Sequence, residues 1–276
     1  MNFSLHKIII YLFVFFFFNL AFSQEDLFLQ EIKIATQLAE SVLNSETNKE
    51  REIANEELKQ ILLRIVSEKK SYLYEFEKIE HISILQPKDK KFKIISWFLP
   101  YTDGTYKYFG FIQKCNKRGK KCQIYLLEDQ IQLSEDYLQK TIRHDKWYGC
   151  LYYDIIPIKI GKENYYTLLG WDGNNVQTSK KIIDVLKITK KQNPFFGASI
   201  FNNDNKRFII EYASKYPISL KYDQKLEYIV FDHLEPIDEV SINNFSIYAT
   251  NLSYDVFKKT KFGWELEKEI YLNNQK

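Results

Sequence analysis

Apolar positions along the chain follow two spacings, one typical of helices and one typical of strands. From Gln24 to Ser45 the apolar residues recur at steps of three and four, which predicts an amphipathic helix. A second helix is predicted to begin at Thr47, where Thr47 and Glu50 match a capping box. The predicted buried faces contain Phe28, Ile32, Ala35, Ala39 and Val42 in the first helix, and Ala54, Leu58, Ile61, Leu62 and Ile65 in the second. The short link predicts a helical hairpin, and its apolar face predicts packing on a sheet, with binding to a partner protein as the alternative.

After Tyr72 the pattern is that of extended chain. Strands are predicted at Phe92–Leu99, Tyr106–Gln113 and Cys122–Leu127. Ser134 is then predicted to cap a short helix that has Arg143 near its end, with His144 and Asp145 closing it. The later strands are predicted at Phe195–Phe201, Arg207–Ala213, Ile218–Asp223, Leu226–Phe231 and Trp264–Ile270. Lys181–Ile188 fits either a strand or a short helix.

The most apolar extended segment runs from Leu151 to Gly173 and predicts two long strands joined at Gly161-Lys162-Glu163. A hairpin this apolar needs cover on both faces, so it is predicted to form the middle of a sheet. Together the patterns predict an α+β fold: an N-terminal helical hairpin followed by a largely antiparallel β domain. Sheets built from successive meanders fit a sandwich, an open sheet or a propeller-like arrangement.

The first 23 residues have the pattern of a signal peptide. Lys7 ends a short basic region, an unbroken apolar run covers Ile8–Phe18, and Ala21 and Ser23 occupy the small-residue positions of a cleavage site. A retained membrane anchor is the alternative, but the run is shorter than the roughly 20 apolar residues that span a bilayer. The predicted organisation is a signal peptide at residues 1–23, a helical subdomain at 24–70 and a β domain at 71–276.

Charge and cysteine content refine this picture of an exported protein. Residues 24–80 hold 13 acidic and 8 basic residues, whereas residues 81–276 hold 23 acidic and 30 basic ones, which fits an acidic hairpin docked on a basic body. Three cysteines allow one disulfide. Cys115 and Cys122 flank a basic loop in a predicted β-hairpin and are the first choice for the pair. A Cys122–Cys150 bond and a fully reduced chain remain the alternatives.

Motifs of known chemistry are missing from the sequence. It contains no G-x-S-x-G elbow, H-E-x-x-H helix, G-x-G-x-x-G loop, Walker A loop, C-x-x-C pair or EF-hand loop. The sequence therefore predicts neither a cofactor nor a metal site. Only four histidines are present, which excludes a histidine-rich metal cage.

The remaining candidate binding residues are aspartates at strand ends and their neighbours. Asp103, Asp172 and Asp232 all fall at predicted strand ends, and near Trp97, Trp171 or several tyrosines they fit a carbohydrate-binding or glycosidase cleft. Asp103 and Asp172 precede glycines, so turn formation explains these two equally well. Asp232 and His233 end a predicted strand ahead of a loop containing Pro236, where a carboxylate would orient an imidazole for proton transfer. Neighbours in a strand point to opposite faces, however, which favours an ordinary hydrogen-bonded loop.

A basic cluster in the hairpin loop is the strongest charge feature. It consists of Lys114, Lys117, Arg118, Lys120 and Lys121. Such a cluster fits a phosphate, an acidic polysaccharide or anionic lipid head groups, with a solvated turn as the simpler interpretation. Export makes nucleic acid an unsuitable partner.

The C-terminal half resembles a group of uncharacterised secreted bacterial proteins. The resemblance is carried by Arg207–Tyr212 (RFIIEY), Ile218–Tyr222 (ISLKY), Tyr228–Pro236 (YIVFDHLEP), the Ser253-Tyr254-Asp255 element and Trp264. Those proteins tend to have Gly-Pro-Asp before the Ser-Tyr-Asp element, where this chain has Ala249-Thr250-Asn251. The resemblance implies export and a β-rich fold, and it transfers no catalytic residues.

The sequence therefore predicts an exported protein of the periplasm, outer-membrane surface or secreted fraction, with no transmembrane span after signal cleavage. A non-enzymatic binding or structural protein of the bacterial envelope is the leading interpretation, with envelope glycan or another envelope protein as partner. The alternative is a hydrolase that cleaves glycan or peptidoglycan with strand-end carboxylates.

Overall fold

The computed structural model describes residues 27–76, 79–116, 119, 121–130, 137–189 and 192–271. The predicted signal peptide and the predicted helix cap at Ser134 lie outside the described residues.

Two antiparallel helices open the described chain, as the spacing of apolar residues predicts. Helix α1 covers residues 27–44, and α2 covers Asn48–Ser67. The capping box is present, because the Thr47 side chain accepts from the Glu50 N–H and the Glu50 carboxylate accepts from the Thr47 N–H. None of the helices in the described residues combines the length and the apolar character that crossing a membrane requires.

The first sheet is an antiparallel meander that receives the helices on one face. Its strands, in spatial order, are β1 (Ile82–Leu85), β2 (Phe92–Pro100), β3 (Tyr106–Cys115) and β4 (Cys122–Glu128). Alternate residues of β2 face opposite sides: Trp97 packs against the helices, whereas Ile94 packs against the second sheet.

The second sheet is the middle layer of the protein. Its strands are β5 (Ile142–Arg143), β6 (Leu151–Ile160), β7 (Glu163–Asp172), β8 (Thr178–Lys187), β9 (Phe195–Phe196) and β10 (Phe208–Ala213). They follow the order β5-β9-β8-β7-β6, and β10 pairs with β8. Leu168 faces the first sheet and Leu169 the third, so both faces are covered. The predicted hairpin is present as β6 and β7, but β6 lies at the edge and β8 is central, because β8 pairs with three strands.

The third sheet closes the stack with a four-stranded antiparallel meander. It consists of β11 (Leu220–Asp223), β12 (Tyr228–Pro236), β13 (Tyr248–Thr260) and β14 (Gly263–Ile270). Trp264 and Phe257 pack against the second sheet. The predicted α+β class is confirmed: a helical layer is followed by three open, antiparallel sheets.

Several local predictions were wrong. Tyr137–Gln139 is a single 3-10 turn, and Ile142–Arg143 pairs with Phe195–Phe196 as a strand rather than ending a helix. His144 and Asp145 lie in a further 3-10 turn. Pro236 belongs to β12 instead of a loop. Short segments of this kind take their structure from tertiary pairing, which local spacing does not encode.

The predicted disulfide is confirmed between Cys115 and Cys122, which are opposite residues in the β3–β4 ladder. A disulfide is typical of proteins that fold outside the reducing cytosol. Cys150 is a buried free thiol, and burial raises its pKa well above the usual value.

Reducing this disulfide should destabilise the protein modestly. The two cysteines are separated by only 7 positions, and closing so short a loop is expected to contribute about 2–3 kcal/mol. Urea unfolding of the wild type with and without reductant would measure the difference. The Cys115→Ser/Cys122→Ser variant should have the same unfolding midpoint as the reduced wild type. A wild-type midpoint that is unchanged by reductant would contradict the expectation.

Candidate functional site

An acidic pocket of about 230 Å³ lies where the first and second sheets meet. We call it the Asp129–Asp172 pocket. Its walls come from the start of β3, the end of β4, the loop before β6, the end of β7 and β8. The lining residues are Tyr106, Tyr108, Asp129, Tyr148, Gly149, Asp172, Asn174 and Lys180.

Asp172 is held at the base of the pocket by three hydrogen bonds. The Tyr108 hydroxyl donates to Oδ1 at 3.0 Å, the Tyr148 hydroxyl donates to Oδ2 at 2.7 Å, and the Asn174 N–H donates to Oδ1 at 2.8 Å. The Tyr108 hydroxyl in turn accepts from the Gly173 N–H at 2.7 Å. Burial and the Asp172 charge raise the pKa of both tyrosines far above the ordinary value, so both hydroxyls remain donors.

Asp129 supplies a second carboxylate at the end of β4. Its Oδ2 accepts from the Tyr108 N–H at 3.1 Å, and the Gly149 N–H also stabilises it. Burial raises the pKa of Asp129, with the Asp172 charge adding to the rise and the two N–H donors opposing it. A Cβ on Gly149 would lie 2.4 Å from Asp129 Cγ, so glycine is needed for the chain to approach this carboxylate.

Lys180 adds one positive charge to the pocket. It lies opposite Asp172 in the β7–β8 ladder, and its Nζ donates to Asn174 Oδ1 at 2.9 Å. Glu211 lies 3.8 Å from the same Nζ. The lining thus holds two carboxylates and one ammonium group, which favours a neutral or cationic ligand.

Two of the predicted site residues lie in or next to this pocket. Asp172 lines the pocket, and Trp171 packs edge-on against Tyr106 at 5.5 Å between ring centroids, which supports the tyrosine that forms one wall. Asp103 lies instead in the exposed β2–β3 turn, where it accepts from Thr105 N–H and Oγ1–H. The hydrogen bond from the Thr105 hydroxyl lowers the pKa of Asp103, which fits the turn interpretation.

Asp232 and His233 lie on β12, away from the Asp129–Asp172 pocket. Asp232 Oδ2 accepts from the Ser219 N–H at 2.7 Å. His233 Nδ1 lies 2.7 Å from Asp255 Oδ1 on the neighbouring strand. The carboxylate that orients this imidazole is therefore Asp255, whereas the adjacent Asp232 accepts a hydrogen bond from the backbone.

The basic hairpin loop borders a larger groove of about 800 Å³. Lys114 and Lys121 line it together with Lys91 and Lys162, which come from other turns of the first and second sheets. Lys117, Arg118 and Lys120 lie outside the described residues. Anion binding by this cluster stays a prediction.

Comparisons with known proteins give no match for this chain, whether with family models, curated proteins or solved structures. The resemblance to secreted bacterial proteins therefore stays a prediction.

Asp129, Tyr148 and Lys180 were not among the site residues predicted from the sequence. For Asp129 a signal was available, because it lies two positions after the predicted strand Cys122–Leu127, much as Asp232 follows the predicted strand Leu226–Phe231. Tyr148 and Lys180 gave no such signal, because a tyrosine in a loop and a lysine in a strand are ordinary features of a sheet surface.

Proposed function

We propose that the protein is an exported, non-enzymatic binding protein of the bacterial envelope whose ligand occupies the Asp129–Asp172 pocket. Support for export comes from the signal-peptide pattern at residues 1–23 and from the disulfide. Support for a binding site comes from a buried carboxylate, Asp172, that two tyrosine hydroxyls hold in place at the base of an open pocket.

The ligand that suits this lining is a single sugar unit of an envelope glycan. Sugar hydroxyls both donate and accept, and the pocket offers carboxylate acceptors beside two donors, the Lys180 ammonium group and the Tyr106 hydroxyl. Tyr106 provides an aromatic wall for the apolar face of a sugar ring. The volume is below the ~300–1,000 Å³ of pockets for drug-sized ligands, so the ligand portion inside it is small.

Substituting either pocket carboxylate should abolish most of the binding. We expect Asp172→Asn and Asp129→Asn to weaken glycan binding about 10- to 100-fold, which corresponds to the loss of a hydrogen bond to a charged group. An array of envelope monosaccharides and peptidoglycan fragments would identify the ligand, and calorimetry would measure its affinity.

Asp103→Asn is the matched control, because this exposed turn aspartate lies outside the pocket lining. Its affinity should equal that of the wild type. An array without any binding, or an equal loss in the Asp103 variant, would reject the pocket as the ligand site.

A carboxylate-dependent glycan hydrolase is the second candidate. It is favoured by the raised pKa of Asp129 beside the hydrogen-bonded Asp172, since paired carboxyl groups with different environments act as acid and base. Release of reducing ends from cell-wall glycan, lost in both Asp129→Asn and Asp172→Asn, would establish cleavage. Binding without release would leave the non-enzymatic function in place.

A further inference from the structure

A second polar cluster lies on the third sheet, separate from the Asp129–Asp172 pocket. His233 comes from β12, Asp255 from β13 and Glu269 from the end of β14, and Glu235 follows His233 by two positions on the same strand. The ladders shift register at this place, between Asp232 and Leu234 in the β12–β13 pair and between Tyr254 and Val256 in the β13–β14 pair. Such bulges redirect side chains, and here the His233 imidazole lies close to carboxylates from three strands.

The imidazole of His233 is oriented by Asp255. Asp255 Oδ1 lies 2.7 Å from His233 Nδ1, and it also accepts from the Glu269 N–H at 3.0 Å. An ionised carboxylate only accepts hydrogen bonds, so this contact places a proton on Nδ1. The lone pair of a neutral imidazole is then on Nε2, which is the atom available to bind a cation.

The Nε2 atom faces two carboxylates at distances that suit metal ligands. It lies 3.4 Å from Glu235 Oε1 and 3.7 Å from Glu269 Oε1, which is beyond an ordinary hydrogen bond. The candidate ligand atoms of His233, Glu235 and Glu269 all lie within 4.8 Å of one another. Ligands about 2.0–2.2 Å from a tetrahedral zinc ion are separated by roughly 3.3–3.6 Å, so the 3.4 Å distance fits this range and the 3.7 Å distance lies just above it.

We propose that His233 Nε2, Glu235 and Glu269 form a binding site for a divalent transition-metal ion of the zinc type, with Asp255 orienting the histidine. The His233 residue is only 8% exposed, so its direction is fixed by packing. A neutral imidazole and two carboxylates carry a charge of −2, which matches a dication. The Asn251 amide donates to Glu235 Oε1 at 3.1 Å and holds that ligand in place.

The proposed site has an open side. The side chains of Glu235 and Glu269 are 49% and 60% exposed, so solvent or an external ligand reaches the position opposite His233. Three protein ligands with an open fourth position are typical of zinc sites that exchange a ligand, whereas structural zinc sites are closed by four.

Zinc titration of the tag-free, chelator-treated protein tests this proposal. In competition with a chromophoric zinc indicator, the wild type should bind one equivalent of zinc. His233→Gln and Glu269→Gln should each lose at least about 10-fold in affinity, and Asp255→Asn about 10- to 100-fold, as expected for removing a ligand or its orienting partner. His81→Gln and Glu265→Gln are matched controls, because they remove an exposed histidine and an exposed glutamate of the same β14 outside the cluster.

A second measurement separates metal binding from a merely structural role of these residues. Cobalt added to the wild type should give the visible absorption of a low-symmetry site, and this absorption should disappear in His233→Gln but remain in His81→Gln. The thermal melting of each metal-free variant checks that it is folded. The proposal is overturned when the wild type shows no saturable zinc binding. Equal affinity in the wild type and in folded His233→Gln would overturn it as well.

Discussion

Replacing Arg207 by methionine is expected to destabilise the protein by about 3–5 kcal/mol, because it leaves the buried Asp184 carboxylate without its counter-ion. Both side chains are fully buried, with Arg207 Nε 3.3 Å from Asp184 Oδ1. Arg207 Nη1 also donates to the carbonyl oxygens of Tyr137 and Lys140, and the guanidinium lies 4.3 Å from the centroid of the Tyr137 ring. One arginine therefore joins β8, β10 and the segment that leads to β5.

The loss in Arg207→Met should depend on pH. Burial raises the pKa of Asp184, and the charge of Arg207 opposes the rise, so its removal raises this pKa further. A carboxyl group with a raised pKa binds more protons in the folded state, so stability falls as pH increases from the ordinary carboxyl pKa of about 3.9 toward the raised value. The deficit relative to the wild type should be larger at neutral than at mildly acidic pH.

Urea unfolding followed by tryptophan fluorescence, at neutral and at mildly acidic pH, measures the loss of stability in Arg207→Met and its pH dependence. Arg143→Met is the control, because Arg143 forms an ion pair with Asp145 but its side chain is 66% exposed, and such pairs contribute about 0–1 kcal/mol. The Asp184→Asn/Arg207→Met variant should regain part of the lost stability, because it leaves no unpaired charge at the position of this ion pair. A single Arg207 variant as stable as the Arg143 control would refute the role of the buried pair.

The sequence predicts those parts of this fold that local chemistry determines. The two helices follow from apolar spacing and from the capping pair of Thr47 and Glu50. Long hairpins such as β2–β3 follow from alternation and from a turn sequence between the strands. The two-residue strand β5 does not follow, because it exists only through pairing with β9. The strand predicted at Phe195–Phe201 is present only as the two residues of β9, Phe195–Phe196.

The candidate site was predictable to the same limited degree. Asp172 stands out because it ends a strand, but the hydroxyls that hold it come from Tyr108 and Tyr148, which are 64 and 24 positions away. Strand register decides which of the chain's 20 tyrosines reach that carboxylate, and a single sequence does not encode register directly. The hydrogen-bond partner of His233 was equally hard to predict. It is Asp255, which lies 22 positions away, whereas the adjacent Asp232 accepts from the Ser219 N–H.

Trp97→Ala is expected to be the other strongly destabilising substitution. Trp97 is 1% exposed and lies between the helical layer and the first sheet, where its ring stacks on Phe109 at 5.7 Å between centroids. Its Nε1–H donates to Asn55 Oδ1 of α2 at 2.8 Å. Removing a buried tryptophan costs about 3–5 kcal/mol through lost contacts and the cavity that remains.

A smaller substitution separates the hydrogen bond from the packing. Trp97→Phe keeps an aromatic ring but leaves the 4% exposed Asn55 without its donor, which should cost about 1–3 kcal/mol plus a smaller packing loss. Adding Asn55→Leu to Trp97→Phe removes the unpaired amide as well, so the double variant should be more stable than the sum of the single losses predicts. Urea unfolding of the four proteins forms a double-mutant cycle. A coupling energy of zero would mean that the Asn55–Trp97 hydrogen bond does not stabilise the packing of helix α2 on the sheet.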